Sequence, residues 1–302
     1  MTDDQSSIFV VGSINIDFCN SVSHFPKIGE TLLSHDFWIG LGGKGANQAI
    51  ACAKLGGIVH MIGAVGDDEY SKFATSQLTN KNVNCDTIFI KNDMIVGMAM
   101  IAISGSDNNI IVAPNANFGL CIDDIKNGLE KAKQGDLLII QLEIRLELVK
   151  YALQLAKSKG MNTILNAAPA NCDVLDILNF VDILVLNETE CQILTGIEPI
   201  NEINTVLAVK YLLKFGVQSV VITLGENGSV VSQGKQLDYI DCLPTTVVDT
   251  TSAGDGYIGA MSTKLAKGYD LVSSAKFGGY VASVVVSRKG ASDSIPSLIE
   301  IL

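Results

Sequence analysis

Val247-Val248-Asp249-Thr250-Thr251-Ser252-Ala253-Gly254-Asp255-Gly256 runs a β-type stretch into a turn of small residues and sets one carboxylate at the start of a helix. That layout suits phosphoryl transfer. Ser252, Ala253 and Gly254 would let a polyphosphate approach the backbone, and the free N–H groups of a helix opening near Gly254 would hold the charge of the transferring group. Asp255 would stand beside this anion hole, built from Ala253, Gly254 and Asp255 itself, as the base for an attacking hydroxyl. The same residues also read as an ordinary N-cap, with an Asp that only accepts backbone hydrogen bonds and complements the helix dipole.

Gly40-Leu41-Gly42-Gly43-Lys44-Gly45 matches G-x-G-x-x-G. A dinucleotide fingerprint should follow the first strand directly and be answered by an acidic residue about 20 residues on. Here the first strand ends near Gly12 and His60 occupies the answering position, so a dinucleotide-dependent oxidoreductase rests on this match alone. Lys44 precedes Gly45 rather than Ser or Thr, which excludes a Walker A loop. Gly42 and Gly43 would instead bring backbone close to a small polar ligand that Lys44 and Asn47 also reach, unless the glycines serve only a tight turn. Upstream, Asn15 and Asp17 leave the first strand on one side by the period-two rule, an amide and a carboxylate suited to vicinal hydroxyls; a solvated loop is the other reading.

The elements that must position these groups are short apolar runs alternating with amphipathic stretches. Ile8 to Gly12, His60 to Val65, Leu137 to Gln141, Thr163 to Asn166, Ile183 to Leu186 and Val220 to Thr223 read as buried parallel strands. Helices are expected around 45–55, 69–79, 122–133, 146–159 and 202–215, several closed by glycines such as Gly56, Gly160 and Gly216. The fold class is therefore α/β, a doubly wound, mostly parallel sheet flanked by helices. Residues 14–40 and 84–113 break the alternation with β-type stretches and read as a small β-sheet lid, leaving 1–13, 41–83 and 114–302 as the core domain. A lid so apolar on both faces needs two covers, one a substrate and the other a partner's lid, which implies a homodimer.

At 302 residues and 48% hydrophobic composition, the chain can bury a large core as one or two domains. It contains no apolar run of the roughly 18 residues a membrane helix needs. The acidic, polar start from Met1 to Ser7 is unlike a signal peptide, so a cytoplasmic protein with no membrane partner is expected. A formal charge of −11 without a Lys/Arg stripe argues against nucleic acid, although a small anion such as ATP can still bind through backbone dipoles and a metal ion. The seven cysteines include no C-x-x-C pair and are expected to be buried thiols, and His24, His35 and His60 show no metal-ligand spacing.

Taken together, the motifs resemble the ribokinase branch of the phosphofructokinase-B-type sugar kinases. Gly42 to Ala49 resembles the N-terminal signature of that family, and Asp249 to Asp255 the C-terminal one. Collinear matches fall at Gly12 to Asp17, Pro26 to Thr31, Gln141 to Glu143, Asn166 to Ala170, Asn187 to Glu190, Ile222 to Gly225 and Arg288 to Ala291, covering nearly the whole chain. The resemblance implies transfer of the ATP γ-phosphoryl group to a sugar's primary hydroxyl, O5 of D-ribose in that branch. By carry-over Asn15, Asp17, Gly43, Lys44, Asn47 and Glu143 would contact the sugar, with Asp255 at the reacting hydroxyl. Glu143 leaves its strand at the C-terminal end, where open α/β sheets bind ligands, though a surface Glu reads the same way.

Nucleotide contacts implied in the same way are Asn187, Glu190, Thr223, Gly225, Gly228, Gly254 and Gly279. Asn187 and Glu190, three apart, would share a helix face and order the waters of Mg²⁺; Asn187 reads equally as a helix cap. The family's monovalent cation, usually K⁺, maps to Asp249, Thr251, Val285, Arg288, Gly290 and Ser294, mostly through backbone carbonyls. The chain departs from the family at Gly256-Tyr257-Ile258, where Thr-Phe-Asn is usual, and Gly256 is expected to loosen the catalytic helix by up to about 1 kcal/mol. It departs again at Gly279, where a polar side chain often meets the base, so the nucleotide preference stays open. Other acceptors, a nucleoside or another small sugar, fit the same scaffold, with Ala99, Ile101 and Ile111 expected to set pocket size. A non-catalytic sugar-binding or regulatory protein would retain the fold but has no need of Asp255, Asn187 and Glu190.

Overall fold

The computed structural model describes residues 5–105, 107–234 and 236–301. In chain order the strands are β1 (Ile8–Val11), β2 (Asn15–Ser21), β3 (Asp36–Gly42), β4 (Val59–Val65), β5 (Asn84–Ile90), β6 (Gly97–Ser104), β7 (Asp107–Ala113), β8 (Leu137–Ile140), β9 (Asn162–Asn166), β10 (Ile183–Asn187), β11 (Ser219–Thr223), β12 (Ser229–Gln233) and β13 (Gln236–Ile240). The helices are α1 (Lys44–Lys54), α2 (Glu69–Asn80), α3 (Ile122–Gly128), α4 (Leu146–Ser158), α5 (Glu188–Thr195), α6 (Glu202–Leu213), α7 (Ala253–Ala266) and α8 (Leu271–Val285).

The six apolar runs are β1, β4, β8, β9, β10 and β11, and they pair in parallel at the centre of a nine-stranded sheet ordered β13-β12-β11-β10-β9-β8-β1-β4-β5. Successive residues of these strands feed opposite cores, which is why their sequences are apolar throughout rather than alternating. Phe9, Val11, Leu138 and Ile140 join α3–α6 on one face, while Ile8, Val10, Leu137 and Ile139 join α1, α2, α7 and α8 on the other. Gly56, Gly160 and Gly216 take positive φ just beyond α1, α4 and α6, as helix-closing residues do. Among the described residues no helix is long and apolar enough to cross a membrane.

The small sheet runs β3-β2-β6-β7. The boundary drawn at 84 requires correction: β5 pairs in parallel with β4 as an edge of the large sheet, with Phe89 packed against one core and Cys85 and Ile88 against the other. β3 also reaches Gly42, past the boundary at 40, so that it delivers the chain directly into α1. Ala99 lies opposite Asp17, and Ile101 lies on the same face, whereas Ile111 pairs with Met100 and belongs to the opposite face. Ile111 therefore does not shape the pocket.

Three further expectations need adjusting. The helix expected over 122–133 ends at Gly128 and continues as turns that still bury Leu129 and Ala132. Cys19, Cys52 and Cys191 are buried, but Cys121, Cys172 and Cys242 are exposed. Gly256 does not sit loosely in α7, because a Cβ there would stand 2.9 Å from Val285 Cγ2, and on the α1 side Gly259 leaves no room for one against Ala51. Small residues let α1, α7 and α8 close on one another, and this packing offsets the lower helix propensity.

Candidate active site

Ser252, in the left-handed region at φ 60°, is the N-cap of α7 and makes no side-chain cap. Asp255, third in the helix, does not cap it either. Its Oδ1 accepts from Gln48 Nε2 at 2.9 Å and its Oδ2 from Asn47 Nδ2 at 3.1 Å, so α1 and α7 meet across this carboxylate. Ala253 N–H already donates to the Thr250 carbonyl at 3.2 Å, which leaves Gly254 and Asp255 as the first-turn donors that no intrahelical carbonyl reaches. A Cβ on Gly254 would meet nothing within 4 Å, and Gly254 and Asp255 both line an open cavity. Burial pushes the Asp255 carboxyl above the usual range, Lys44 and the two amides pull it back, and Glu143 adds to the rise.

A chain of buried amides fixes Asp255, and the sequence reading assigned no role to most of its members. Gln141 Nε2 donates to Gln48 Oε1 at 2.6 Å, and Gln48 Nε2 serves both Asp255 and Asn166 Oδ1. Because an ionised carboxylate only accepts, it sets the orientation of Gln48, which in turn sets that of Gln141. Asn47 Nδ2 also reaches Ser252 Oγ at 3.1 Å, leaving Asn47 Oδ1 buried without a partner. The available signal was a Gln and an Asn side by side on a helix whose other buried positions are small or apolar.

On the opposite side of Lys44, β1 and β2 are joined by Gly12 to Ile14, against which α1 begins. Glu143 Oε2 accepts from Ser13 Oγ at 2.5 Å and from Lys44 N–H at 3.1 Å, so Glu143 is no free surface residue but satisfies the uncapped start of α1. Asp17 is 8% exposed, and burial first, then Glu143 and Asp255, raise its carboxyl to about 7. Gly42 has no room for a side chain beneath that carboxylate, and a Cβ on Gly43, at φ 87°, would press on Asn15 N. Asn15 Oδ1 is held by Asn117 Nδ2 at 2.8 Å, while Asn117 Oδ1 accepts from Ile14 N–H at 2.9 Å. Asn117, which nothing in the local sequence marks, thus orients Asn15 from outside the motifs. Lys44 lies among Asp255, Glu143 and Glu190; burial lowers its affinity for a proton, but these carboxylates more than compensate, so its pKa is raised.

Two adjoining cavities meet at Gly254. The smaller, about 200 Å³, contains Lys44, Asn187, Glu190, Ser252 and Asp255, and the larger, about 590 Å³, contains Gly225, Gly228, Ser229, Tyr257 and Gly279. Thr223 and Gly254 line both, so all the expected nucleotide positions border this paired space. Asn187 is also the N-cap of α5, its Oδ1 accepting from Glu190 N–H and Glu190 Oε2 from Asn187 N–H, each at 2.8 Å. Glu190 keeps its second oxygen outside this box, as a residue ordering the waters of Mg²⁺ would. Asp249 accepts from Thr251 N–H at 2.9 Å and Gly290 N–H at 3.0 Å, gathering two candidate cation-binding segments. The Val285 carbonyl is engaged by Arg288 N–H, and the Arg288 side chain points instead to Glu300 at 2.9 Å. Ser294 donates to the Ala291 carbonyl within the same loop.

The family described as "pfkB family carbohydrate kinase" matches residues 5–298. The chain is 36% identical to ribokinase from Haemophilus influenzae over 99% of this chain and 98% of that protein. It is 33% identical to deoxyribokinase from Salmonella typhimurium, with 96% of each chain covered. Arabidopsis thaliana ribokinase, solved in complex with ribose and ATP, superposes with a TM-score of 0.87 at 30% identity, covering 98% of this chain and 97% of that one.

Proposed function

The chain belongs to the pfkB family of carbohydrate kinases, and from that premise we propose that it transfers the γ-phosphoryl group of ATP to O5 of D-ribose, giving D-ribose 5-phosphate. The observation that carries the reading is the position of Asp255: fixed by two amides, beside open helix N–H groups, on the wall of the cavity that also holds Lys44 and Glu190. Asn15, Asp17, Gly43, Lys44, Asn47 and Glu143 form the sugar side. Asp255 accepts the O5 proton as that oxygen attacks the γ-phosphorus in line and the bond to the β-phosphate oxygen breaks. Gly254 and Asp255 N–H groups hold the charge on the phosphoryl oxygens, and Lys44 adds a positive charge between sugar and phosphate. Asn187 and Glu190, on the wall of the smaller cavity, are the residues that would order the waters of a Mg²⁺ ion, which would supply neutralisation of polyphosphate charge. The segments that Asp249 joins would hold a K⁺ ion, which would supply positive potential near the anion hole.

Deoxyribose is the runner-up acceptor, favoured by the deoxyribokinase relative. Against it stands the buried Asp17 carboxylate, which needs hydroxyl donors and loses one when the 2-hydroxyl is missing. Exposed Phe37, Met100 and Ile111, which share the face of the small sheet opposite Asp17, support pairing of two copies in the cytoplasm; sedimentation at the mass of one chain would overturn that pairing. The test of function is ADP release with Mg-ATP and D-ribose, 2-deoxyribose, fructose, adenosine or uridine, with and without K⁺. Ribose turnover that rises with K⁺ is expected, and preference for another acceptor overturns the ribose assignment while keeping the kinase.

The pH dependence follows from Asp17. Below about pH 7 the free site holds a proton on this carboxyl, and sugar hydroxyls donate best to its ionised form. Binding therefore releases that proton, and affinity rises with pH until about 7 and then levels. Calorimetry should give a ribose Kd about three- to tenfold lower at pH 8 than at pH 6, with Asp17→Asn flattening the profile. A wild-type Kd that rises over this interval contradicts the assignment.

A further inference from the structure

Resting on the nucleotide reading of the larger cavity, we propose that Tyr257 is a positioning residue whose hydroxyl ties the helix bearing Asp255 to the turn that receives the nucleotide. Tyr257 lies two residues beyond Asp255 on α7, and its hydroxyl is 3.0 Å from Ser229 Oγ. Both residues are 3% exposed, and both border the larger cavity. Ser229 opens β12 directly after Gly228, whose turn is closed by Leu224 N–H donating to the Gly228 carbonyl at 2.8 Å. The bond thus joins the anion-hole helix to the residue that directly follows the nucleotide turn.

The ring and the hydroxyl of Tyr257 do separate things. The ring packs beneath α8, where Gly278 gives it room: a Cβ there would lie 3.2 Å from the ring carbons. A phenyl ring would fill that space as well, and an apolar residue would suit the core it joins. The hydroxyl is instead a buried polar group satisfied by one on another element, and buried polar groups are costly unless paired. Its consequence is geometric. One nucleotide must meet the Gly254 N–H on α7 and the Gly225–Gly228 turn at once, so their spacing governs affinity. The Tyr257–Ser229 bond sets that spacing from beneath, without needing to touch the ligand.

The test measures MgADP and ribose binding separately by calorimetry, in the full chain and in Tyr257→Phe, Ser229→Ala and the double variant. Each single variant should weaken MgADP by about tenfold and leave ribose affinity unchanged, and the double variant should be no weaker than either single one, because both remove the same bond. If Tyr257→Phe folds poorly, Ser229→Ala removes the bond without touching the ring. MgADP binding as tight as wild type in both single variants overturns the tie. So does an equal loss for ribose and MgADP, which is what a merely structural role produces. Absence of MgADP binding by the wild-type protein overturns the nucleotide reading of the cavity itself and is recognisable before any variant is measured.

Discussion

Asp255→Asn lowers turnover by about two to four orders of magnitude and leaves ribose affinity within a fewfold of wild type. The surroundings accommodate the new amide. Gln48 can keep donating to the carbonyl oxygen of that amide, because Asn166, whose own amide donates to the Val185 carbonyl, still presents Oδ1 to Gln48 Nε2. The introduced amino group would then face Asn47 Nδ2, a clash of donors. Asn47 relieves it by turning its amide over: Oδ1, buried without a partner in the native site, accepts from the new amino group, and Ser252 changes from acceptor to donor. Folding and the sugar pocket are thus expected to survive, and what disappears is the group proposed to take the O5 proton. Steady-state ADP release gives kcat, and calorimetry with ribose gives the affinity. Turnover within tenfold of wild type would remove Asp255 from the chemistry and leave it a buried anchor between α1 and α7.

The parts of this molecule legible in the sequence are those whose physics is local. β1, β4 and β8–β11 show as apolar runs because both faces of a parallel sheet are covered, and no periodicity is needed to see them. β5 carries half-buried residues at a sheet edge and looks the same as a lid strand; its pairing with β4 is decided by tertiary packing. α8 is rich in Gly, Ser and Val, a poor local case for a helix, and folds as one because its small residues pack closely on α7.

At the site, Asp255 and Asn47 are separated by 208 residues, so only the family resemblance brought them together before the fold did. Gln48, Gln141 and Asn166 fall inside the matching motifs but carried no assigned role, and Asn117 lies outside them, for a related reason: they hold other side chains, and an amide that orients a neighbour has no spacing rule of its own. The segments around Asp249 and Gly290 are joined through backbone N–H groups, which every residue type except proline carries.

Gly45→Ala is expected to lower kcat/KM by about two to three orders of magnitude, although it adds one methyl group at a residue with no functional side chain. A Cβ there would stand 2.7 Å from Gly12 C and from both N and O of Ser13. Those atoms are backbone, so no rotamer change makes room, and α1 must move away from the β1–β2 connection. Ser13 and Glu143, which together hold the N–H groups of Gly45 and Lys44, would be pulled from the helix start. Lys44, Asn47 and Gln48 ride on the same turn, and the displacement therefore carries the proposed sugar contacts and both Asp255 anchors with it. Overpacking of this kind costs about 1–3 kcal/mol, which lowers Tm by several degrees without abolishing the fold. Gly40→Ala is the matched control: its Cβ would meet nothing within 4 Å, so the methyl group should cost nothing sterically. Thermal melts and kcat/KM on ribose for the two variants separate the effects. If Gly45→Ala melts lower yet keeps wild-type kcat/KM, the seat of α1 against Gly12 and Ser13 matters to stability alone, and the catalytic geometry tolerates its displacement.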